Sequence, residues 1–241
     1  MLIEFCLPVK NESNILKANT LHLLDFLNSL DLGDWRVVVI VNGSDDDSYA
    51  IASSLECEHG HHFRAVNYKK GGKGWALREY FRQSRADVLV FMDVDLAVAL
   101  DSLPNLIKPI LNWEADLVIG SRLLPTSITS RSFLRSFTSK GYNYLSRIFL
   151  KHRLSDLQCG FKAIRRSGYK LVEPYLRDDK WFFDTELVTI AKALEMRILE
   201  IPVAWKENRY DKRKSKVSLV RDIWSFLGNL VRLRARIKNI K

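Results

Sequence analysis

Two carboxylates one residue apart, Asp93 and Asp95, follow an apolar run of strand length at 88–92. A continuous apolar run of this length predicts a strand buried on both faces of a parallel sheet. In open α/β sheets ligands bind beyond the carboxyl ends of the strands, so both carboxylates are expected at a ligand site. Carboxylates this close repel one another unless they share a cation, and a hard cation that bridges phosphates is the usual solution. The alternative is a strand followed by an ordinary polar turn.

Strands and helices alternate along the rest of the chain. Apolar runs predict further strands at 2–7, 36–41, 63–68, 115–120 and 197–205. Helical spacing of apolar residues predicts helices that end near 30, 55 and 85, and others at 103–113, 135–150 and 185–194. The segment 123–135 is rich in Ser, Thr and Arg and is predicted to be a loop. This rhythm indicates βαβ units, and therefore an α/β fold built on a parallel sheet.

A glycine-rich segment, Gly71-Gly72-Lys73-Gly74, opens the helix that is predicted to end near Arg85. Backbone amides at a glycine-rich helix start, with a lysine nearby, suit a phosphate group. The segment is not a Walker A loop, because Asn67 stands where the first glycine is needed and no Ser or Thr follows Lys73.

Composition places the chain among ordinary globular proteins. It has 241 residues, of which 47% are hydrophobic and 27% charged, enough for one large domain or two small ones. The sequence has no apolar run of 18 residues and no basic, then apolar, N-terminal segment, so we expect neither a transmembrane helix nor a signal peptide. Three widely spaced cysteines without a Cys-x-x-Cys pair indicate reduced thiols in a cytosolic setting.

The net charge of +10 is concentrated at the C-terminus. Residues 206–241 contain 12 Lys and Arg against 3 Asp and Glu, a net of +9. This pattern points to an anionic surface partner for the tail and disfavours a fold that coats nucleic acid. Residues 218–241 are predicted to form a basic amphipathic helix. It packs on its own domain, lies on an anionic bilayer, where Trp224 and Phe226 would be anchors, or does both.

A series of motifs runs in order along residues 2–220 and resembles one family. These motifs are Pro8-Val9-Lys10-Asn11-Glu12, Asn42-Gly43-Ser44-Asp45-Asp46, Gly72-Lys73-Gly74, Asp93-Val94-Asp95, Gly120-Ser121-Arg122, Gln158-Cys159-Gly160-Phe161-Lys162, Phe183-Asp184-x-Glu186, Ile201-Pro202-Val203 and Ser215-Lys216-Val217. The chain closely resembles family 2 glycosyltransferases of the GT-A fold, in the branch of dolichyl-phosphate mannose synthases and polyprenyl-phosphate glycosyltransferases. The resemblance implies a catalytic GT-A domain over 1–217, with a mostly parallel, Rossmann-like sheet flanked by helices.

The resemblance also implies a nucleotide-sugar site. Pro8, Asn11 and Glu12 would line the base and ribose pocket, and Asn42 and Asp46 occupy positions where the family contacts base and ribose. Val41-Asn42 replaces the family's Asp-Asp pair, so the choice of nucleotide, in a donor of the GDP-mannose or UDP-glucose type, stays open. A second group lies around the donor diphosphate: Lys73 would sit by the donor pocket, and Asp93 and Asp95 would hold Mg²⁺ or Mn²⁺.

On the acceptor side, the resemblance implies a cluster of residues that bind a lipid phosphate. Its members would be Arg122, Arg135 with Ser139, either Arg209 or Arg213, and Lys216. Asp156 matches an acidic position near the reacting centre, so Asp95, Asp156 and Arg122 are the expected catalytic residues. A lipid phosphate is already anionic, so it needs positioning by arginine rather than deprotonation. Direct attack would invert the anomeric centre, giving a β-linked product from an α-linked donor.

Three functions are compatible with these features. The first is a metal-dependent transferase that moves a hexose from a nucleotide sugar to polyprenyl or dolichyl phosphate, peripheral on the cytoplasmic face of a membrane. It would reach the lipid through its C-terminal helix or through a membrane-protein partner. The second keeps the donor but uses a saccharide or another hydroxyl acceptor, which requires a general base. The third is an inactive nucleotide-sugar fold that binds anionic membranes. Nucleic acid is not an expected partner, because Tyr210 is the one aromatic residue in the very basic segment 208–215.

Overall fold

A computed structural model describes residues 1–130, 133–206, 219–238 and 240 of the chain, with 133–140 and 219–225 described by their backbone alone. The strands are β1 (Leu2–Val9), β2 (Asp34–Asn42), β3 (Phe63–Tyr68), β4 (Val88–Met92), β5 (Leu117–Ser121), β6 (Ile128–Ser130), β7 (Phe161–Arg165), β8 (Ile198–Pro202) and β9 (Ala204–Lys206). The helices are α1 (Ser13–Asn28), α2 (Ser48–His59), α3 (Lys73–Gln83), α4 (Leu103–Leu111), α5 (Phe133–Leu150), α6 (Arg166–Val172), α7 (Phe183–Ala193) and α8 (Leu219–Ile237).

One mixed sheet of seven strands organises the fold, in the order β3-β2-β1-β4-β7-β5-β8. Every neighbouring pair is parallel except the two that involve β7, which runs antiparallel to both β4 and β5. The predicted α/β fold with a mostly parallel sheet is therefore confirmed. Strand β7 was not predicted from the sequence, and the single strand predicted at 197–205 is two strands, β8 and β9. The predicted loop at 123–135 contains β6, which pairs with β9.

Both faces of the sheet are covered, which explains the continuous apolar strands. In β2, Val37, Val39 and Val41 face one core, formed with α1, α2 and α4. Val38 and Ile40 face a second core, formed with α3, α6, α7 and α8. Because side chains alternate along a strand, a strand buried on both sides is expected to be apolar at most positions. The polar residues that follow each strand are therefore left at the edge of the sheet.

Helix α8 packs on the rest of the fold through its described side chains. Leu230 and Leu233 are fully buried in the second core. The Phe226 ring packs against the rings of Tyr142 and Phe182, with centroids 5.0 and 5.9 Å away. The Phe226 ring therefore packs on the protein in this arrangement, as the first of the expectations for this helix describes. The side chain of Trp224 lies outside the described part of the chain.

Candidate active site

The predicted donor residues meet at one edge of the sheet. Because β1, β2, β4 and β5 all run in the same direction, their carboxyl ends share this edge. Pro8 lies at the end of β1, Asn42 ends β2, Asp93 follows β4 and Arg122 follows β5. Parallel strands thus bring together side chains that are far apart in the sequence, as expected for ligand sites of α/β proteins.

The loops after β1 and β2 are joined by hydrogen bonds. The Asn11 amide donates to Ser44 Oγ at 3.0 Å, and the Asp45 amide donates to Asn11 Oδ1 at 3.0 Å. The Glu12 amide donates to Ser48 Oγ at 3.1 Å. Asn11 has a positive φ of 54°, a conformation that asparagine tolerates better than most residues. These two loops therefore form one framework that holds Asn11 and Glu12 in place.

Asp46 is part of this framework. Its two carboxylate oxygens accept the amides of Ser13 and Ser48, each at 3.0 Å. Burial acts to raise the pKa of Asp46, but the hydrogen bonds from Ser48 and Ser13 outweigh it and lower the pKa to about 2. The carboxylate is thus ionised at neutral pH and fixes the first turn of α1.

Asn42 is buried and its amide group is committed to backbone atoms. Its Nδ2 donates to the carbonyls of Val9 at 2.8 Å and Ile40 at 3.3 Å, and its Oδ1 accepts the Gly72 amide at 3.0 Å. The side chain therefore links the end of β2 to the glycine-rich segment before α3. In this arrangement Asn42 positions that segment through its whole amide group.

The start of α3 differs from the prediction of a phosphate-binding helix terminus. The amides of Gly74 and Trp75 donate to the carbonyls of Lys180 and Asp179, at 3.2 and 3.1 Å. The Gly72 amide is occupied by Asn42. These three amides are therefore engaged within the protein: the carbonyls of Lys180 and Asp179 cap those of Gly74 and Trp75, and Asn42 binds that of Gly72. Gly74 is needed for this contact, since a side chain there would collide with the Asp178 carbonyl.

The side chains around Asp93 form a chain of alternating charges. The Lys73 ammonium lies 3.0 Å from Asp93 Oδ1 and 3.1 Å from Asp184 Oδ2. The second oxygen of Asp184 accepts from Lys162 Nζ at 2.6 Å. Burial acts against a charged Lys73, but the carboxylates of Asp184 and Asp93 outweigh it and raise the pKa of the ammonium. Lys73 is therefore a fixed cation beside the first carboxylate of the Asp-x-Asp motif.

A second ion pair joins the end of β5 to the segment before β7. The Arg122 guanidinium donates to both oxygens of Asp156, at 2.6 and 2.9 Å. Asp156 is fully buried. Burial acts to raise the pKa of its carboxyl, but the charge and hydrogen bonds of Arg122 outweigh it and hold that pKa below its usual value. Glu200 on β8 accepts the amides of Ser155 and Asp156, at 2.8 and 3.3 Å. Asp156 thus fixes the direction of the Arg122 side chain.

The two carboxylates of the motif are chemically suited to a divalent cation. The Asp93 side chain is 44% exposed and packs against Gly160, where a side chain would collide with the carboxylate. Asp95 Oδ1 accepts the Ala97 amide at 3.1 Å, which fixes its loop. The described residues include no cluster of three or more His, Cys, Asp or Glu side chains that could hold a metal. Two carboxylates suffice for Mg²⁺ when phosphate oxygens complete its coordination.

Comparison with known proteins settles the family. Residues 4–172 match the family described as "Glycosyl transferase family 2". This chain belongs to that family. It is 33% identical to glycosyltransferase AglD from Haloferax volcanii over 231 residues, covering 95% of this chain and 36% of the relative. It is also 33% identical to a dolichyl-phosphate beta-glucosyltransferase from Trichomonas vaginalis, covering 75% of this chain and 55% of the relative. This chain therefore spans about a third to a half of the length of these two relatives.

The same family 2 chain has the fold of a solved enzyme. Glucosyl-3-phosphoglycerate synthase from Mycobacterium tuberculosis, crystallised with Mn²⁺, uridine diphosphate and glucosyl-3-phosphoglycerate, superposes with a TM-score of 0.68. The identity is 16%, and the match covers 98% of this chain and 80% of that chain. At this identity the likeness concerns the fold, and it confirms the predicted GT-A-like architecture. The predicted family is confirmed as well.

Five predicted acceptor residues have side chains that lie outside the described part of the chain. Arg135 and Ser139 belong to α5, but their side chains are outside the described residues. Arg209, Arg213 and Lys216 fall in 207–218, also outside the described part of the chain. Among the described helices, none is both long enough and apolar enough to cross a membrane.

Four residues around the site had no role predicted from the sequence. Asp184, Lys162, Ser155 and Glu200 all contact a predicted site residue or one of its direct partners. Asp184 and Lys162 belong to motifs that carry the family resemblance, which was the available signal. Their pairing joins α7 to β7, and no local pattern predicts it.

Proposed function

We propose that this chain is an inverting hexosyltransferase that moves a hexose from a nucleotide sugar to a polyprenyl or dolichyl phosphate. The observation that carries this proposal is the state of the two buried carboxylates in the site. Asp156 is paired with Arg122, and Asp184 is paired with Lys162 and Lys73. Carboxylates held by cations in this way are poor proton acceptors. A hydroxyl acceptor needs a general base, whereas a lipid phosphate is already anionic.

The donor would bind at the edge of the sheet. Pro8, Asn11 and Glu12 line the base and ribose pocket in this proposal, within the loop framework that Asp46 and Asn42 hold together. The relatives named dolichyl-phosphate beta-glucosyltransferases support the same donor and acceptor classes.

Asp93 and Asp95 are the proposed ligands of Mg²⁺ or Mn²⁺. Their carboxylates would hold the cation where it would supply charge neutralisation for the departing nucleoside diphosphate. Lys73 adds a positive charge on the same side of the pocket, where it can contact a donor phosphate. A solved structure of the same fold was crystallised with Mn²⁺ and uridine diphosphate, which supports this choice of cation.

The acceptor phosphate would be held by cations. Arg122 is the described member of this group, and its guanidinium geometry matches phosphate oxygens. Arg135, Ser139, Arg209, Arg213 and Lys216 complete the proposed cluster. Asp156 acts by orienting Arg122 and by balancing positive charge. Attack of the phosphate oxygen on the face of the sugar opposite the diphosphate inverts the anomeric centre.

We further propose that the protein works peripherally on the cytoplasmic face of a membrane. The basic stretch 206–241 carries a net charge of +9, which favours contact with anionic lipids. Contact could also pass through a membrane-protein partner.

The decisive experiment offers the enzyme a polyprenyl phosphate and the matching polyprenol, with Mn²⁺ and either UDP-glucose or GDP-mannose. We expect a β-linked hexosyl product from the phosphate and none from the alcohol, and no turnover in an Asp95→Ala variant that keeps its fold. Equal transfer to the alcohol would refute the acceptor assignment in favour of a hydroxyl acceptor. Full activity of Asp95→Ala would refute the metal assignment.

A further inference from the structure

Asp184 connects three elements beside the Asp-x-Asp motif. It lies in the first turn of α7 and its side chain is 3% exposed. One carboxylate oxygen accepts from Lys162 on β7 at 2.6 Å, and the other lies 3.1 Å from the Lys73 ammonium on α3. Both oxygens are thus engaged by ammonium groups, so Asp184 is not placed to accept a proton.

We propose that Asp184 is a positioning residue that shares the Lys73 ammonium with Asp93 and thereby keeps Asp93 available to a divalent cation. The proposal rests on the function proposed above and deepens it.

The two carboxylates that hold Lys73 differ in their exposure to water. The Asp184 side chain is 3% exposed, whereas the Asp93 side chain is 44% exposed. An ion pair is stronger where the effective dielectric constant is low, so the buried partner holds Lys73 more firmly. A divalent cation can then displace Lys73 from Asp93 without leaving a buried ammonium unpaired. Without the Asp184 charge, Lys73 would pair with Asp93 alone and compete fully with the metal.

Lys162 contacts both Asp184 and the backbone segment 159–160 that packs against Asp93. Its ammonium is fully buried and also donates to the Cys159 carbonyl. That carbonyl precedes Gly160, whose backbone packs against Asp93. The Phe91 ring lies 5.7 and 5.5 Å from the ammonium groups of Lys73 and Lys162. The position of Asp93 therefore depends on the same buried charges that hold Lys73.

The test measures Mn²⁺ binding to the whole folded protein, from the electron paramagnetic resonance signal of free Mn²⁺ without donor or acceptor. Asp184→Asn keeps the shape and removes the charge, and we expect it to bind Mn²⁺ at least tenfold more weakly than the wild type. Lys73→Gln removes the competitor, so it is expected to bind several-fold more tightly. The double variant Lys73→Gln with Asp184→Asn should bind Mn²⁺ about as tightly as Lys73→Gln alone, because Asp184 acts through Lys73. A residue that matters for folding alone would not be rescued in this way.

The matched control is Glu186→Gln. It removes a buried, ion-paired carboxylate from the same helix and none of the contacts to Lys73, so Mn²⁺ binding should stay within about twofold of the wild type. Equal binding by the wild type and Asp184→Asn would overturn the inference, as would a Lys73→Gln variant that binds no more tightly. If Asp184→Asn does not fold, the Mn²⁺ affinity of Lys73→Gln alone tests the inference. A wild type that binds no Mn²⁺, or binding that survives Asp93→Asn, would instead refute the proposed metal site.

Discussion

The buried pair of Arg122 and Asp156 allows a quantitative test of how the site is held together. Asp156 is fully buried, and the Arg122 side chain is 15% exposed. Removing one partner of a buried ion pair typically costs about 3–5 kcal/mol, because the other charge stays buried without compensation. Since Arg122 retains some contact with water, we expect Asp156→Asn to lower the free energy of unfolding by about 3 kcal/mol. A double variant with Arg122→Met should lose less than the sum of the two single changes.

The measurement is urea unfolding of the wild type, both single variants and the double variant. Arg197→Met is the control, because Arg197 makes a similar two-point contact with Asp116, at 3.1 and 2.8 Å, on an exposed surface. Its unfolding midpoint should change far less, since exposed pairs contribute little. The Asp156 carboxyl has a lowered pKa in the folded state, so its contribution is present above about pH 4 and is lost as the pH falls further. Additive losses in the cycle would refute the argument.

Two further predictions concern packing and pH. Gly74→Ala should lower the free energy of unfolding by about 1–3 kcal/mol, because the new methyl collides with the segment that caps α3. Gly141 lies in an exposed position of α5 with open space around it. Gly141→Ala should therefore raise the free energy of unfolding by up to about 1 kcal/mol in the same thermal or urea assay. Burial and two nearby cations lower the pKa of His152 to about 4, so the wild type should lose stability as the pH falls from about 6.5 to 4, while His152→Gln should lose less over that range. An unchanged pH dependence in His152→Gln would contradict this assignment.

Strands β2 and β4 could be predicted because each contains a continuous apolar run. The run at 88–92 was read as a strand ending before Asp93, and β4 ends at Met92. Strand β7 was missed because Lys162 and Arg165 interrupt its apolar pattern. Lys162 is tolerated inside the sheet because its ammonium pairs with Asp184 and donates a hydrogen bond to the Cys159 carbonyl. The Arg165 guanidinium lies over the Trp113 ring. Asp184 and Trp113 come from distant parts of the chain, so these contacts leave no local signal.

The candidate site was predicted in its position but not in its internal connections. The order of motifs placed Asp93 and Lys73 at one edge of the sheet, which follows from parallel strands. It could not show that segment 178–181 caps the start of α3, since that contact joins residues about a hundred positions apart. The glycines of that helix start suited phosphate equally well by sequence. In the structure, Gly74 is required for close contact with a neighbouring segment.

The position of β7 also bears on how the protein is made. This strand lies between β4 and β5 although it follows both in the chain. During synthesis, β1 to β4 can assemble as soon as they leave the ribosome, whereas β5 has no place beside them until β7 arrives to join the two halves. At roughly 5–20 residues per second, the free edge of β4 remains uncovered for several seconds. Asp93 and Lys73 belong to the early half, and Asp156 and Asp184 to the late half, so nascent chains acquire the balancing charges of the pocket last.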